Sequence, residues 1–220
     1  MNTIVCLLVG TYLMYVPQSH VSTEPNNEAD RVFQEVIAHG IQLEDYRAEF
    51  RYHIHSINGR RTQQNGHVLY QKNRYVVQVG DQEIYSDGQT QWRYFPHKQE
   101  VYISNYEQGG SNVMELLFQI FYAKISLEYL GEEEMLTVPC EKLKATVLEE
   151  SGANFEEAFI WVSKDSKMFQ KVTFIDQRQN TTNFEFRDFQ LNIGLEFSDF
   201  QFDLSRHPGV NIIDLRDSNR

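Results

Sequence analysis

His53 and His55 stand two residues apart in an alternating stretch of the chain, a spacing that puts both imidazoles on one face of a strand, where they could share a metal ion. No third ligand accompanies them, and both fall on the polar side of the alternation, so a solvated strand face is the simpler reading. Glu132, Glu133 and Glu134 follow Gly131 and read as a solvated turn. The chain has 2 cysteines. Cys6 lies in the apolar N-terminal stretch, and Cys140 follows Pro139 with no adjacent His or basic residue to activate it, so it reads as a small buried apolar side chain. The sequence contains no G-x-S-x-G, no H-E-x-x-H, no Walker loop and no Rossmann glycine run. These readings lead to the expectation of a protein that is not an enzyme, with no catalytic residues, no metal and no cofactor.

The stretch Tyr85 to Pro96 carries more information. Asp87-Gly88 suits a hairpin turn, Trp92 and Tyr94 share a strand face, and Pro96 ends the strand. The elements around it alternate in the same way. Tyr46, Ala48, Phe50, Tyr52 and Ile54 interleave with Arg47, Glu49, Arg51, His53 and His55, which is a half-buried strand. Asn58-Gly59 and Asn65-Gly66 read as turns. Further strands are expected over 67–71, 74–79, 83–86, 91–95 and 101–106, then over 142–148, 157–163, 169–176, 183–189 and 196–204. That pattern predicts a mainly β fold of about 10–11 strands in an antiparallel meander.

Two segments change period. Ala29, Val32, Phe33 and Val36 fall on one stripe of a helix that Asn26 or Asn27 can cap and Gly40 can end. After Gly109-Gly110, a permissive break, Val113, Leu116, Leu117, Ile120 and Phe121 return at helical spacing, with Asn112 and Glu115 placed for a capping box.

The chain of 220 residues has a formal net charge of −11, and no basic stripe interrupts it. Nucleic acid is therefore not an expected partner, and stable membrane insertion is disfavoured. Ile4 to Val16 is too short to span a bilayer but suits the apolar part of a signal peptide, so residues 1–22 read as a leader. Residues 23–216 read as one domain and 217–220 as a polar tail, in a protein expected to be monomeric.

The run from Ser86 to Pro96 resembles the S-D-G-x-T-x-W-x-Y-x-P pattern of the periplasmic outer-membrane lipoprotein carrier family, LolA. Gly66 to Tyr75 before it, and Phe200-Gln201-Phe202 with His207 to Asp214 after it, look like the same family in order and spacing. The resemblance implies a curved, incomplete antiparallel β-barrel whose amphipathic helices cover the open side. It also implies a carrier in the periplasm of a Gram-negative bacterium. Such a carrier moves acylated lipoproteins from an inner-membrane release complex to an outer-membrane acceptor. On that reading Phe50, Tyr52, Ile54, Trp92 and Tyr94 form the wall of an acyl groove. Val32, Phe33, Val36, Leu116, Leu117, Ile120 and Phe121 form its lid. Many carriers have an Arg-Pro pair after the second strand, the Arg bonding to the lid; here stand Lys72-Asn73, with Arg74 two residues on from Lys72, so Lys72 and Arg74 are the lid-contact candidates. Residues 107–150 look unlike the better-known carriers and mark a divergent branch. Two alternatives stand beside this reading: a binding or sensor module of the same fold for another lipid or glycolipid, and an exported hydrolase.

Overall fold

The computed structural model describes residues 27–106, 113–148 and 152–216. The expected leader, Asn26, Gly109-Gly110, Asn112 and the tail 217–220 lie outside them.

Helix α1 (Asn27–Gln42) carries Glu28 and Asp30 in its first turn and His39 in its last, charges that oppose the helix dipole favourably. It runs through Gly40, which was expected to end it, and Leu43 N–H closes it by donating to the His39 carbonyl at 3.2 Å. Six strands follow: β1 (Tyr46–His55), β2 (Arg61–Gln71), β3 (Arg74–Val79), β4 (Gln82–Ser86), β5 (Thr90–Phe95) and β6 (Glu100–Asn105). Helix α2 (Val113–Tyr122) interrupts the sheet. Then come β7 (Ile125–Met135), β8 (Val138–Val147), β9 (Glu157–Ser163), β10 (Phe169–Ile175), β11 (Thr181–Leu191) and the short β12 (Asn211–Asp214).

All twelve strands join one open sheet in the order β12-β6-β5-β4-β3-β2-β1-β11-β10-β9-β8-β7. The chain therefore runs a meander outward from β1, crosses by α2 to the far edge and returns to pair β11 with β1, Tyr52 facing Phe184. The sheet is antiparallel except at one end, where β12 lies parallel to β6 with Asn211 opposite Glu100. The mainly β, open antiparallel architecture with two helices that the sequence predicts is present, and this parallel end pair is a detail added to it.

Three other expectations change. Asn65-Gly66 lies inside β2 rather than in a turn, with Gly66 directly opposite Phe50. A Cβ at Gly66 would run into the Phe50 ring and the Gln78 carbonyl, so the glycine serves a close approach of side chain to backbone. Glu132, Glu133 and Glu134 are not a loop but the outer half of β7, paired with Glu141, Cys140 and Pro139 after a bulge between Tyr129 and Gly131. Lys164 and Lys142 compensate two of them, at 2.5 Å to Glu132 and 2.8 Å to Glu133. Residues 196–204 form no strand. Phe197–Phe200 and Leu204–Arg206 are short 3-10 turns; Glu196 and Asp199 cap the first of them reciprocally.

The main core lies between the concave face of the sheet and the two helices. Cys140 is fully buried, and burial pushes its thiol pKa up. His53 and His55 lie on the opposite face, and among the described residues no group of three His, Cys, Asp or Glu side chains could hold a metal.

Candidate functional site

Alternation along β1 sends Tyr46, Ala48, Phe50, Tyr52 and Ile54 to the concave face, and cross-strand pairing carries that face around the sheet. Aromatic side chains dominate it. Phe184 lies 5.1 Å from Tyr52, 6.2 Å from Phe50 and 6.0 Å from Phe174, ring centre to ring centre. Phe174 continues to Phe155 at 5.1 Å. Toward β2, Tyr46 meets Tyr70 at 5.2 Å. Burial drives the Tyr46 and Tyr70 phenol pKa values up, that of Tyr70 to about 12, as expected for hydroxyls withdrawn from water into an apolar wall.

The helices close over this wall. Ala29, Val32, Phe33 and Val36 of α1 and Met114, Leu117 and Ile120 of α2 are buried in the same cluster. Phe118 of α2 sits 5.8 Å from both Tyr70 and Tyr75. Phe121 stacks between Phe33 at 5.8 Å and Phe169 at 5.7 Å, so one ring joins both helices to the sheet although it is 37% exposed. Leu116 is partly buried against the cluster.

Specific polar contacts tie each helix to the rest of the fold. Arg31 of α1 bridges Glu28 (2.8 Å), Glu35 (2.5 Å) and Glu141 of β8 (2.5 Å), while Lys167 reaches Glu35 at 2.8 Å and Glu141 at 3.9 Å. Glu141 is buried on the concave side, so this clasp ties α1 to the sheet through a desolvated carboxylate. In α2, Gln119 Oε1 accepts from Asn154 N–H at 2.7 Å, and burial together with the nearby carboxylate of buried Glu115 raises the Tyr106 phenol pKa. An apolar wall and two amphipathic covers make an arrangement suited to holding an apolar chain, provided a cover can lift.

A family model described as "Outer membrane lipoprotein carrier protein LolA" matches residues 42–203. The chain belongs to the LolA family. No curated protein matches it. Among solved structures, an uncharacterised conserved protein from Thermus thermophilus aligns with a TM-score of 0.58 at 10% identity, over 85% of this chain and 99% of that one. A LolA superfamily protein from Nitrosomonas europaea aligns at 0.44 and 11% identity, over 80% and 98%. The lipoprotein LppX from Mycobacterium tuberculosis aligns at 0.43 and 11% identity, over 78% and 99%.

Within this LolA fold the motif that carries the likeness has a different place from the one expected. Asp87 Oδ1 accepts from the Gln89 and Thr90 N–H groups at 2.9 and 2.8 Å, and Gly88 adopts φ +90°, so the S-D-G segment builds the β4–β5 turn. Trp92 and Tyr94 do not join Phe50 and Tyr52. Trp92 pairs with Tyr85 and Ile103, Tyr94 with Glu83 and Val101, all on the convex face, because Ile84 and Arg93 take the concave one. There Phe202 and His207 lie 5.0 and 4.6 Å from Tyr94 and stack on each other at 4.5 Å. The central and C-terminal LolA motifs therefore clasp each other in a second small core and leave the groove to other residues.

Lys72 and Arg74 are corrected as lid contacts. Lys72 sits in the β2–β3 turn with φ +57° and is exposed. Arg74 alternates to the convex face with Val76, bonds Gln71 at 3.0 Å and stacks on Phe197 at 4.6 Å. Arg31, with Glu141 as its partner across the sheet, holds a helix instead; its position in the first turns of α1 was visible, but a partner 110 residues away was not. Sequence reasoning also missed Asp45. This buried carboxylate accepts from Ile193, Gly194 and Leu195 N–H at 2.7, 3.1 and 2.9 Å and so anchors the C-terminal segment at the start of β1.

Ile54 lies on the concave face opposite Thr62 and Thr182, half-buried beyond the core. An open cleft of about 650 Å³ lies at the end of β8 and β9, lined by Thr146, Phe155, Glu156, Glu157 and Ile175 among others.

Proposed function

We propose that this chain is a periplasmic carrier of acylated lipoproteins, exported with residues 1–22 removed and working as a single domain over 23–216. The observation that supports the reading best is the aromatic concave wall covered by the apolar faces of two amphipathic helices. An acyl chain of about 16 carbons represents on the order of 12 kcal/mol of burial at about 0.8 kcal/mol per CH₂, so a water-filled compartment is impassable for it without an apolar host. The host must also release it. A wall that its own helices fill when no cargo is present meets both needs, because cargo and helix side chains compete for the same surface. On this reading Phe50, Tyr52 and Ile54 belong to the wall. Val32, Phe33 and Val36, with Leu116, Leu117, Ile120 and Phe121, belong to the cover. Release and delivery would require an inner-membrane complex and an outer-membrane acceptor. Mass spectrometry of material co-purified from membranes tests the reading. Acylated N-terminal peptides of lipoproteins are expected. Recovery of other lipids alone would favour a carrier of a different lipid or glycolipid, and recovery of no acylated species would sink the proposal.

A further inference from the structure

Beyond the helices, the concave face continues over β4, β5 and β6 with a different chemistry. Two cross-strand rows run along it: Tyr75, Ser86, Gln91 and Ser104, then Val77, Ile84, Arg93 and Tyr102. The first row adjoins the apolar wall directly, since Tyr75 touches Phe118 of α2 and its hydroxyl accepts from Gln91 Nε2 at 3.0 Å. The second begins in the core with Val77 and Ile84, both buried, and ends at partly exposed Arg93 and Tyr102. Arg93 thus sits where the apolar wall gives way to an open polar shelf.

Among the described residues Arg93 has no carboxylate within ion-pair distance, and its Nε is shielded from solvent without a hydrogen-bond partner. Buried donors in folded chains are normally satisfied. The neighbouring carboxylate on this face, Glu100, is engaged by the Tyr102 hydroxyl at 3.0 Å. A guanidinium stays charged at any physiological pH and offers a planar fork that matches a carboxylate or phosphate.

We propose that Arg93 receives an oxyanion, carboxylate or phosphate, borne at the head end of an acyl ligand whose chain lies on the apolar wall. The assignment rests on the acyl-binding wall of the carrier reading above; because the amide-, ester- and thioether-linked head of an acylated lipoprotein bears no anion, it adds free anionic lipids as a further ligand class of that wall. The chain supplies most of the affinity, and Arg93 selects among chains of equal length.

Three ligands with the same tail test it: palmitate, monopalmitoyl lysophosphatidate and neutral monopalmitoylglycerol, each titrated below its micelle concentration into the parent, Arg93→Gln and Arg93→Lys. The parent should bind at least one anionic probe roughly tenfold tighter than the neutral one. Palmitate alone would point to a carboxylate, lysophosphatidate alone to a phosphate. Arg93→Gln should lose that preference and keep the affinity for monopalmitoylglycerol, and Arg93→Lys should retain part of it. Inorganic phosphate, having no tail, should not compete. Equal binding of all three by the parent overturns the role of Arg93 and leaves the carrier reading standing. Binding of none overturns both. An Arg93→Gln protein that melts lower and weakens on all three probes alike would make Arg93 structural and overturn the proposal.

Discussion

Trp92 and Phe184 show how far a residue's type alone carries an argument. Both are aromatic, both alternate in strands, and the period of two states that each shares a face with its second neighbours. It does not state which face is covered. In most half-solvated sheets one face is, but here residues 200–210 cover the convex face of β4–β6 with Phe202, His207 and Val210. The aromatic pair Trp92 and Tyr94 therefore found a second core, which the sequence pattern could not distinguish from the first. The consequence is measurable. Phe184 is fully buried in the concave wall, and truncating it to Ala should cost about 3–5 kcal/mol and weaken acyl binding. Trp92 is only partly buried, so Trp92→Ala should cost less than that and leave acyl affinity unchanged. Denaturant melts and palmitate titrations of the two variants check this; a loss of binding in Trp92→Ala with unchanged stability would return it to the groove.

At the scale of elements, legibility followed how strictly each segment obeys one period. The strands 74–79 and 157–163 were readable to the residue. The strand β7 was not, because a bulge shifts its register after Tyr129 and its outer part is a run of three glutamates without alternation. Residues 196–204 deceived in the opposite sense, since Phe200 and Phe202 alternate while Glu196 and Asp199 close a turn. Both helices were legible from their stripes; what fastens them was not, because the clasp joins residues distant in the chain. That clasp should respond to acid. The Glu35 carboxyl is held below its ordinary value of 4.5 first by Lys167 and then by Arg31, against the opposing effect of burial; Arg31 holds Glu28 low in the same way. A depressed native pKa means that the contribution to stability is complete above 4.5 and is lost as pH falls through the lower native value. Below pH 4.5, α1 should loosen and an environment-sensitive apolar dye should bind more. Arg31→Gln should show that increase already at neutral pH, and dye binding that stays flat through the acid range in both proteins would deny the clasp its role. The other cover can be opened from its apolar side. Leu117 is 6% exposed, and Leu117→Gln removes about 1.5–3 kcal/mol of burial from α2. Raised dye binding with little change in secondary structure is expected, whereas unchanged binding and an unchanged thermal midpoint would mean that α2 does not cover the groove.

An open sheet of twelve strands has two edges, and an edge is a template for pairing with another molecule. The two ends of this one are protected differently. At β12 the exposed strand has only four residues and ends at Asp214, whose carboxyl pKa the Arg216 guanidinium lowers to about 2, so the charge persists at any ordinary pH. At the other end β7 packs against α1, and beyond its bulge it carries Glu132, Glu133 and Glu134, all exposed. Their side chains project to both faces of the edge, and Lys164 and Lys142 pair with Glu132 and Glu133, so a second copy pairing here would have to desolvate a dense set of charged groups. Together with a net charge of −11, this disfavours edge-to-edge association over the whole molecule. No helix among the described residues is long and apolar enough to cross a membrane. The parent lacking residues 1–22 should therefore sediment as a monomer across a hundredfold range of concentration. Replacing Glu132, Glu133 and Glu134 together by Thr keeps strand propensity and removes the carboxylates that make the edge costly to desolvate. The hairpin tip beyond them already exposes Leu136 at 85%, adding an apolar contact to the new edge. The triple variant should keep its circular dichroism and form dimers or larger species as concentration rises. A parent that dimerises would refute the protection assigned to this edge, and so would a triple variant that stays monomeric at every concentration where its fold is intact.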